Sequence, residues 1–285
     1  HRSDYLNFLQ TAWERWPNDR NVELVLPQFW PVLGSPAGGM PARCPDSVVA
    51  QLGWFAGDAI APLMAGTWSA AYESAQVALS AQRAMAEGAR SALALCRPPG
   101  HHAGTQRLAG YCYLNNAAIA AQAFIDSGMR RVAILDVDYH HGNGTQEIFY
   151  ERADVLVCSV HADPAEDYPY FVGRADEIGA GAGEGFNLNC PLPTGSDWAT
   201  WRYALETCCQ RIDTYAPQAL VVSLGVDTHR DDPSGSFKLD SSHYVPLGRR
   251  LAELGLPTLF VLEGGYAIEV LGVNVANVLT GFEGE

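Results

Sequence analysis

Short apolar runs alternate with longer stretches of helical character along most of the chain. The apolar runs contain few polar residues, and they occupy 91–96, 131–137, 155–160, 219–224 and 257–262. The helix-like stretches lie before and between these runs, at 66–88, 113–127, 198–214, 241–254 and 266–280. Strands that are apolar on both faces are typical of a parallel sheet covered by helices on both sides. The pattern therefore predicts an α/β fold with a central, mostly parallel sheet flanked by helices.

The N-terminal part of the chain departs from this alternation. Residues 21–62 are rich in Pro, Gly, Trp and Phe and show no steady period. We predict a long N-terminal loop insertion over 21–62, since long loops of this kind usually carry function or an interface. The chain also starts at His1 in a helix-like stretch, 4–9, and we therefore expect a further segment upstream.

Composition narrows the class of protein. A chain of 285 residues with 48% apolar content can bury one large core, so we expect 1–285 to form a single domain. The formal net charge of -14 argues against a nucleic-acid-binding surface and is compatible with a cationic substrate. The 7 cysteines include no CxxC pair, which indicates a reducing cytoplasm. No apolar run reaches the roughly 20 residues of a membrane helix, and no signal peptide opens the chain.

Polar residues with catalytic potential follow four of the five predicted strands. They are the pair His101-His102, the segment 136–140, Asp227, and the segment 263–266. Ligands of parallel α/β sheets bind beyond the carboxyl ends of the strands. We therefore expect these four segments to converge on one site.

The segment that begins at Asp136 has the composition of a metal site. A single Asp at a strand end is usually a helix cap. Two Asp and two His within six residues, bounded by Gly142 and Gly144, are harder to explain by capping. Asp227 ends another predicted strand and can reach the same ion. Carboxylate and imidazole ligands together favour a hydrolytic metal centre.

Two further motifs offer acid–base or electrophilic groups, and each has a simpler explanation. His101 and His102 follow a stiff Pro-Pro-Gly turn that would fix them as acid–base groups, although a pair of buried structural histidines gives the same pattern. Tyr266 ends a Glu-Gly-Gly-Tyr segment that is either a simple strand-to-helix turn or the position of a hydroxyl that donates to an oxyanion.

Four motifs together resemble the histone deacetylase superfamily, which has the arginase-deacetylase fold. They are 97–103 (RPPGHHA), 110–116 (GYCYLNN), 136–144 (DVDYHHGNG) and 263–266 (EGGY). The resemblance runs from about residue 60 to the C-terminus, in order and at matching spacing. The segments 147–150, 167–169 and 223–225, with the loop 21–62, look most like the bacterial acetylpolyamine amidohydrolase branch. The resemblance implies that the family's first strand and helix are absent here, and we expect either that the sequence is a fragment or that another segment replaces them.

The resemblance implies a role for each matching residue. One catalytic zinc ion would be bound by Asp138, His140 and Asp227, a hard ligand set that also suits ferrous or cobalt ion. The catalytic group would comprise His101 paired with Asp136, His102 paired with Asn143, and Tyr266. Many family members have Asp where Asn143 stands, so the imidazolium of His102 would be less stabilised here. The acyl-lysine tunnel would be lined by Tyr111, Tyr168, Gly110 and Gly264.

The family also binds structural potassium. The inner site would use Asp136, Asp138, His140, Ser159 and Val160, chiefly through backbone oxygens. The outer site would use the carbonyls of Phe149, Arg152, Val155 and Phe186.

The resemblance implies hydrolysis of N-acetylated amines, with acetylpolyamines as the first choice and acetate as a product. The alternative is a deacetylase acting on acetyl-lysine in proteins. An arginase-like ureohydrolase with two manganese ions is less favoured, because it needs more carboxylates near Gly225 than the chain offers. An inactive binding protein of the same fold would be expected to have lost part of the constellation. We expect a homodimer through the loop 21–62, with Phe29, Trp30 and Trp54 narrowing the tunnel mouth.

Overall fold

Six strands form one twisted sheet at the centre of the molecule, and helices cover both of its faces. The computed structural model describes residues 1–17, 22–31 and 43–284. Its strands are β1 Leu24–Val25, β2 Leu63–Met64, β3 Ser91–Ala94, β4 Val132–Asp136, β5 Val155–Ala162, β6 Asn187–Leu192, β7 Ala219–Leu224 and β8 Thr258–Leu262. Its α-helices are α1 Ser3–Thr11, α2 Val48–Phe55, α3 Thr67–Ala86, α4 Asn116–Asp126, α5 Asn143–Phe149, α6 Trp198–Tyr215, α7 Tyr244–Ala252 and α8 Ile268–Glu283.

The central sheet has the order β3-β8-β7-β4-β5-β6, and all of its strand pairs are parallel. Adjacent residues of a strand point to opposite faces, so Ile134 and Leu135 of β4 enter different cores. Ile134 packs with Phe124 of α4 on one face, while Leu135 belongs to the cluster of Trp201 from α6 on the other. The predicted single-domain α/β fold with a parallel sheet flanked by helices is confirmed.

The five predicted strands are all present, with ends that differ by at most a few residues. The predicted helices are present as α3, α4, α6, α7 and α8, and a 3-10 turn at Ser241–His243 precedes α7. The sequence pattern missed the edge strand β6 and the short helix α5. Both lie near the candidate site described below.

The prediction of one long loop over 21–62 is wrong for its described C-terminal part. Residues 48–55 form α2, in which Leu52 and Phe55 are buried against α1 and Tyr5. Two residues of the range, Leu24 and Val25, pair with β2. Residues 21 and 32–42 of the predicted insertion lie outside the described residues.

All seven cysteines fall within the described residues and are free thiols. Over residues 1–17, 22–31 and 43–284, no helix is both long and apolar enough to span a bilayer.

Candidate active site

Four neighbouring strands bring their carboxyl ends to the same edge of the sheet. β3, β8, β7 and β4 are adjacent in that order and run parallel. The segments that follow them carry the histidine pair, Tyr266, Asp227 and Asp138. The convergence predicted from the sequence is therefore present, and the sheet order explains it.

The side chains of Asp138, His140 and Asp227 lie close together beyond the carboxyl ends of these strands. Within the described part of the chain, this is the one group of three acidic or imidazole side chains whose ligand atoms lie within 4.8 Å of one another. Both carboxylates are fully buried. Nδ1 of His140 lies 3.1 Å from Oδ2 of Asp227 and 3.3 Å from Oδ1 of Asp138. Asp136 is turned away from the group and bonds to His101 instead.

Backbone amides fix the orientation of the two carboxylates. Tyr139 N–H donates to Oδ1 of Asp227 at 2.8 Å, and Gly264 N–H donates to Oδ2 of Asp138 at 2.8 Å. The backbone N–H of His140 donates to Oδ1 of Asp138 at 2.8 Å. The main chain therefore holds both carboxylates in place beside His140 Nδ1.

The space beside these carboxylates is kept open by two glycines. A Cβ at Gly225 would lie 2.1 Å from Oδ2 of Asp138. A Cβ at Gly264 would lie 2.5 Å from Oδ2 of Asp227 and 2.6 Å from Oδ2 of Asp138. Any larger residue at either position would displace the carboxylates, so Gly264 contacts the candidate ligands rather than only lining a tunnel.

The charges of the group suit a divalent cation. Burial, followed by the negative charge of Asp138, raises the pKa of Asp227 to about 7. Two carboxylates this close disfavour each other's ionised form, and a divalent ion supplies the opposite charge. Two carboxylate oxygens and one imidazole nitrogen are ligands of zinc, ferrous and cobalt ions. The residues present therefore fit such an ion.

The two histidines next to the group have different partners. Nδ1 of His101 lies 2.9 Å from Oδ2 of Asp136, and Nδ1 of His102 donates to Oδ1 of Asn143 at 2.8 Å. The two imidazole rings lie at a centroid distance of 4.0 Å and are tilted by 42° to each other. The pairing implied by the family resemblance is therefore the pairing in the structure.

These partners move the pKa values of the two histidines apart. Burial opposes protonation of His101, but the negative charges of Asp138 and Asp136 outweigh it and raise its pKa to about 10. Burial, then the positive charges of His101 and His140, lower the pKa of His102 well below its usual range. At neutral pH His101 is therefore an imidazolium, while His102 has an unprotonated Nε2. Such a split is typical of an acid–base site.

A carboxylate that the sequence did not assign holds the turn carrying both histidines. Glu263 accepts hydrogen bonds from the backbone N–H of Gly100 at 2.6 Å and of His101 at 3.1 Å, and Ser223 Oγ lies 3.3 Å from it. Burial raises the pKa of Glu263 to about 7. The family motif marked Glu263 only as the start of a turn, and no local signal reveals its distant partners.

Two of the predicted tunnel residues, Tyr168 and Gly110, lie against His102. The ring of Tyr168 meets the imidazole edge-on at a centroid distance of 4.9 Å, and a Cβ at Gly110 would lie 2.3 Å from its Cδ2. Tyr111 is 45% exposed, and its ring lies 6.0 Å from that of Tyr266. The walls of the predicted tunnel therefore contact the candidate acid–base groups.

Two backbone hydrogen bonds to Asp232 fix the position of Tyr266. Its N–H donates to Oδ2 of Asp232 at 2.6 Å, and so does the N–H of Ala267 at 2.9 Å. Burial, then the negative charges of Asp138 and Asp227, raise the pKa of the Tyr266 hydroxyl above its usual range. The half-buried hydroxyl therefore remains protonated and able to donate.

The residues predicted to bind potassium are placed as follows. Ser159 pairs in register with Asp136 on the neighbouring strand, and both are buried, as is Val160. At the outer position, the carbonyl of Phe149 accepts the N–H of Arg152 at 2.9 Å. Val155 starts β5, and the carbonyl of Phe186 accepts the N–H of Val157 at 3.0 Å.

Comparison with known proteins extends these observations. Residues 1–282 match the model of the histone deacetylase domain family. The chain is 57% identical to acetylpolyamine amidohydrolase 1 of Pseudomonas aeruginosa and 55% identical to acetylpolyamine amidohydrolase 2 of that organism. Each match covers 100% of this chain and 81% of the relative. A crystal structure of acetylpolyamine aminohydrolase from Burkholderia pseudomallei matches with a TM-score of 0.91 at 43% identity, covering 100% of this chain and 81% of that one.

Proposed function

The chain belongs to the histone deacetylase family, and we propose that it is a metal-dependent amidohydrolase that removes acetyl groups from acetylated polyamines. The observation that carries the reaction class is the buried Asp138–His140–Asp227 group next to a neutral His102 and a charged His101. The substrate class rests on the similarity, over the whole chain, to relatives named acetylpolyamine amidohydrolases. The products are acetate and a free amine.

We propose zinc as the resident ion, held by Asp138, His140 and Asp227. The chemistry that such an ion supplies when bound is Lewis acidity, which makes water more acidic and an amide carbonyl more electrophilic. Ferrous and cobalt ions suit the same donor set. Potassium at the two positions described above would stabilise the segment between β4 and β5 that carries His140.

The residues of the chain divide the proton transfers between them. As water adds to the acetyl carbon, Nε2 of His102 accepts its proton. When the C–N bond breaks, the same nitrogen returns that proton to the departing amine. His101 remains an imidazolium next to His102, because Asp136 and Asp138 hold its charge. Tyr266 donates a hydrogen bond to the carbonyl oxygen as negative charge develops on it.

Asn143 sets the working pH of this proposed base. We expect Asn143→Asp to raise the pKa of His102, because a carboxylate favours the imidazolium form. A base must be unprotonated, so activity is lost as pH falls through its pKa. The acidic limb of the kcat/KM profile should therefore move to higher pH in the variant. The exposed Asn7→Asp variant, which adds an equal charge on α1, should leave the limb in place. A limb that stays fixed or moves to lower pH in Asn143→Asp would contradict the assignment.

Acetate release from a panel of acetylated amines tests the proposed function directly. We expect kcat/KM to be larger for acetylputrescine and acetylspermidine than for acetyl-lysine peptides. Dialysis against a chelator should abolish turnover, and one equivalent of zinc, ferrous or cobalt ion per chain should restore it, as counted by plasma emission.

The outcomes separate the alternative functions. Preference for acetyl-lysine peptides would indicate a protein deacetylase instead. Two transition-metal ions per chain with urea production from arginine would indicate a ureohydrolase. A chain that binds metal but hydrolyses no member of the panel would be the inactive binding protein.

We also propose that the chain forms a homodimer through the region 21–62, in which Phe29 and Trp30 are 62% and 45% exposed. Sedimentation of the purified protein tests this. A monomer would exclude it.

A further inference from the structure

We propose that Asp58 is a positioning residue that sets two walls of the substrate tunnel against His102. Asp58 lies in the loop between α2 and β2, and its side chain is half-buried. The proposal rests on the proposed function, since it concerns the same site. It does not depend on which ion is bound.

One carboxylate oxygen of Asp58 receives two hydrogen bonds from separate parts of the chain. Oδ2 accepts the hydroxyl of Tyr168 at 2.5 Å and the backbone N–H of Gly110 at 2.9 Å. The other oxygen, Oδ1, accepts the N–H of Ile60 at 2.7 Å and so fixes the local loop. Asp58 therefore ties the segment around 168 to the turn at 110.

Both donors to Oδ2 lie against the same imidazole. The Tyr168 ring meets His102 at a centroid distance of 4.9 Å and an angle of 87°. A Cβ at Gly110 would lie 2.3 Å from Cδ2 of His102, so the glycine backbone packs directly on the ring. A shift of either wall therefore changes the space next to His102. Asp58, His102 and Tyr168 also line one cavity of about 1030 Å³.

The hydrogen bond from Asp58 also helps to hold the backbone turn at Gly110. Gly110 has φ +50°, and the following residue, Tyr111, has φ +67° although it is not a glycine. Both residues belong to a turn that the backbone hydrogen bonds between Ala109 and Cys112 close, and the left-handed conformation of the non-glycine Tyr111 adds strain that the surroundings must hold. Because the ring of Tyr111 lies next to that of Tyr266, a loosened turn would also disturb the proposed oxyanion donor.

The loop that carries Asp58 is itself anchored to the same turn. Gly57 N–H donates to the carbonyl of Leu108 at 2.8 Å, and Leu108 N–H donates to the carbonyl of Phe55 at 2.9 Å. The Asp58 carboxylate therefore extends from a backbone segment that is itself hydrogen-bonded to Leu108, close to the turn at Gly110. Burial, followed by the negative charge of Asp58, raises the pKa of the Tyr168 hydroxyl. The hydroxyl therefore stays protonated and donates its hydrogen bond to Asp58.

Kinetics of Asp58 variants test the proposal. We expect Asp58→Ala to lower kcat/KM by about 100-fold, because a displacement of about 1 Å in a positioned site has that effect. Asp58→Asn keeps an acceptor and the side-chain volume, and its loss should be smaller. Both losses should be the same for acetylputrescine and for N-pentylacetamide, its uncharged isostere. The matched control is Asp126→Asn, which removes an exposed charge at the end of α4, on the opposite edge of the sheet.

A double-mutant cycle identifies the route through Tyr168. In a Tyr168→Phe background, Asp58→Ala should have an effect at least about threefold smaller than in the wild type, since two groups joined by a hydrogen bond are not independent. Hydrogen exchange of the Gly110 amide, followed by NMR, gives a readout independent of turnover. The exchange should be faster in Asp58→Ala and unchanged in Asp126→Asn.

The results that would contradict the role of Asp58 differ from the result that would contradict the proposed function. A loss confined to acetylputrescine would mean that Asp58 acts by its charge on a cationic substrate, and the positioning role would be overturned. Additive effects of the two substitutions, or unchanged exchange at Gly110, would overturn it as well. If the wild-type protein hydrolyses neither amide, the proposed function fails, while the exchange at Gly110 still decides the role of Asp58.

Discussion

Replacing His102 with alanine is expected to lower kcat for acetylputrescine by about 10²–10⁴-fold, the range that general acid–base catalysis contributes. Nδ1 of His102 donates to Asn143 at 2.8 Å, which leaves Nε2 as the free nitrogen. Its low pKa keeps that nitrogen unprotonated at neutral pH. The variant therefore loses the group that accepts a proton from water and returns it to the amine. Steady-state acetate release measures the loss, and metal content by emission should remain at the wild-type value.

Two observations separate a chemical role of His102 from a structural one. The acidic limb of the pH profile should disappear in His102→Ala, and added imidazole should restore part of the activity by entering the vacated space. His243→Ala is the matched control, because its imidazole stacks on Trp198 of α6, away from the site. Full activity in His102→Ala would remove the proposed proton transfer.

The sequence predicted the candidate ligands because each follows an apolar strand directly. β4 and β7 are neighbours, with Asp136 in register with Ser223, so the segments after them leave the sheet side by side. Asp138 and Asp227 therefore lie close together. The hydrogen bond from Tyr139 N–H to Asp227, which spans 88 positions of the sequence, joins the two segments. Parallel strand order turns local motifs into one site, and this step needs only the general rule for such sheets.

The residues that hold the site in place were not predictable in the same way. Asp58 bonds to Gly110, 52 positions away, and Glu263 bonds to Gly100, 163 positions away. Their partners are mostly backbone amides, and the other two are the hydroxyls of Tyr168 and Ser223. An amide is present at nearly every position, so no residue type marks the partner in the sequence. Asp58 also lies in the irregular region 21–62, where an isolated acidic residue resembles an ordinary surface group.

Two of the missed elements, β6 and α5, were missed for local reasons. β6 begins Asn187-Leu188-Asn189, and polar residues at alternate positions suggest a solvated face. Both asparagines are instead buried, and both donate to Oε1 of Gln146, at 2.9 and 2.8 Å. The strand contains Pro191, which is tolerated because β6 is at the edge of the sheet. Helix α5 has only 7 residues and starts at Asn143, within the motif attributed to chemistry.

We expect the second large effect on turnover from substitution of Tyr266. Burial, followed by the negative charges of Asp138 and Asp227, raises the pKa of the Tyr266 hydroxyl, so its proton is retained through the working range of pH. Asp232 fixes the backbone at residue 266 and thereby the base of the side chain. A donor that is already in place when charge develops costs no reorganisation during the reaction.

Tyr266→Phe is therefore expected to lower kcat by about 10²–10³-fold, the effect of removing one oxyanion donor. Because the hydrogen bond strengthens only as charge develops, kcat and kcat/KM should fall by the same factor, with KM unchanged. Metal content should remain at one ion per chain, since the phenol is not among the three candidate ligands. Tyr203→Phe removes a hydroxyl from an exposed position on α6 and should retain full activity. Unchanged kcat in Tyr266→Phe would discard the oxyanion role, and a rise in KM alone would make Tyr266 a residue that only binds substrate.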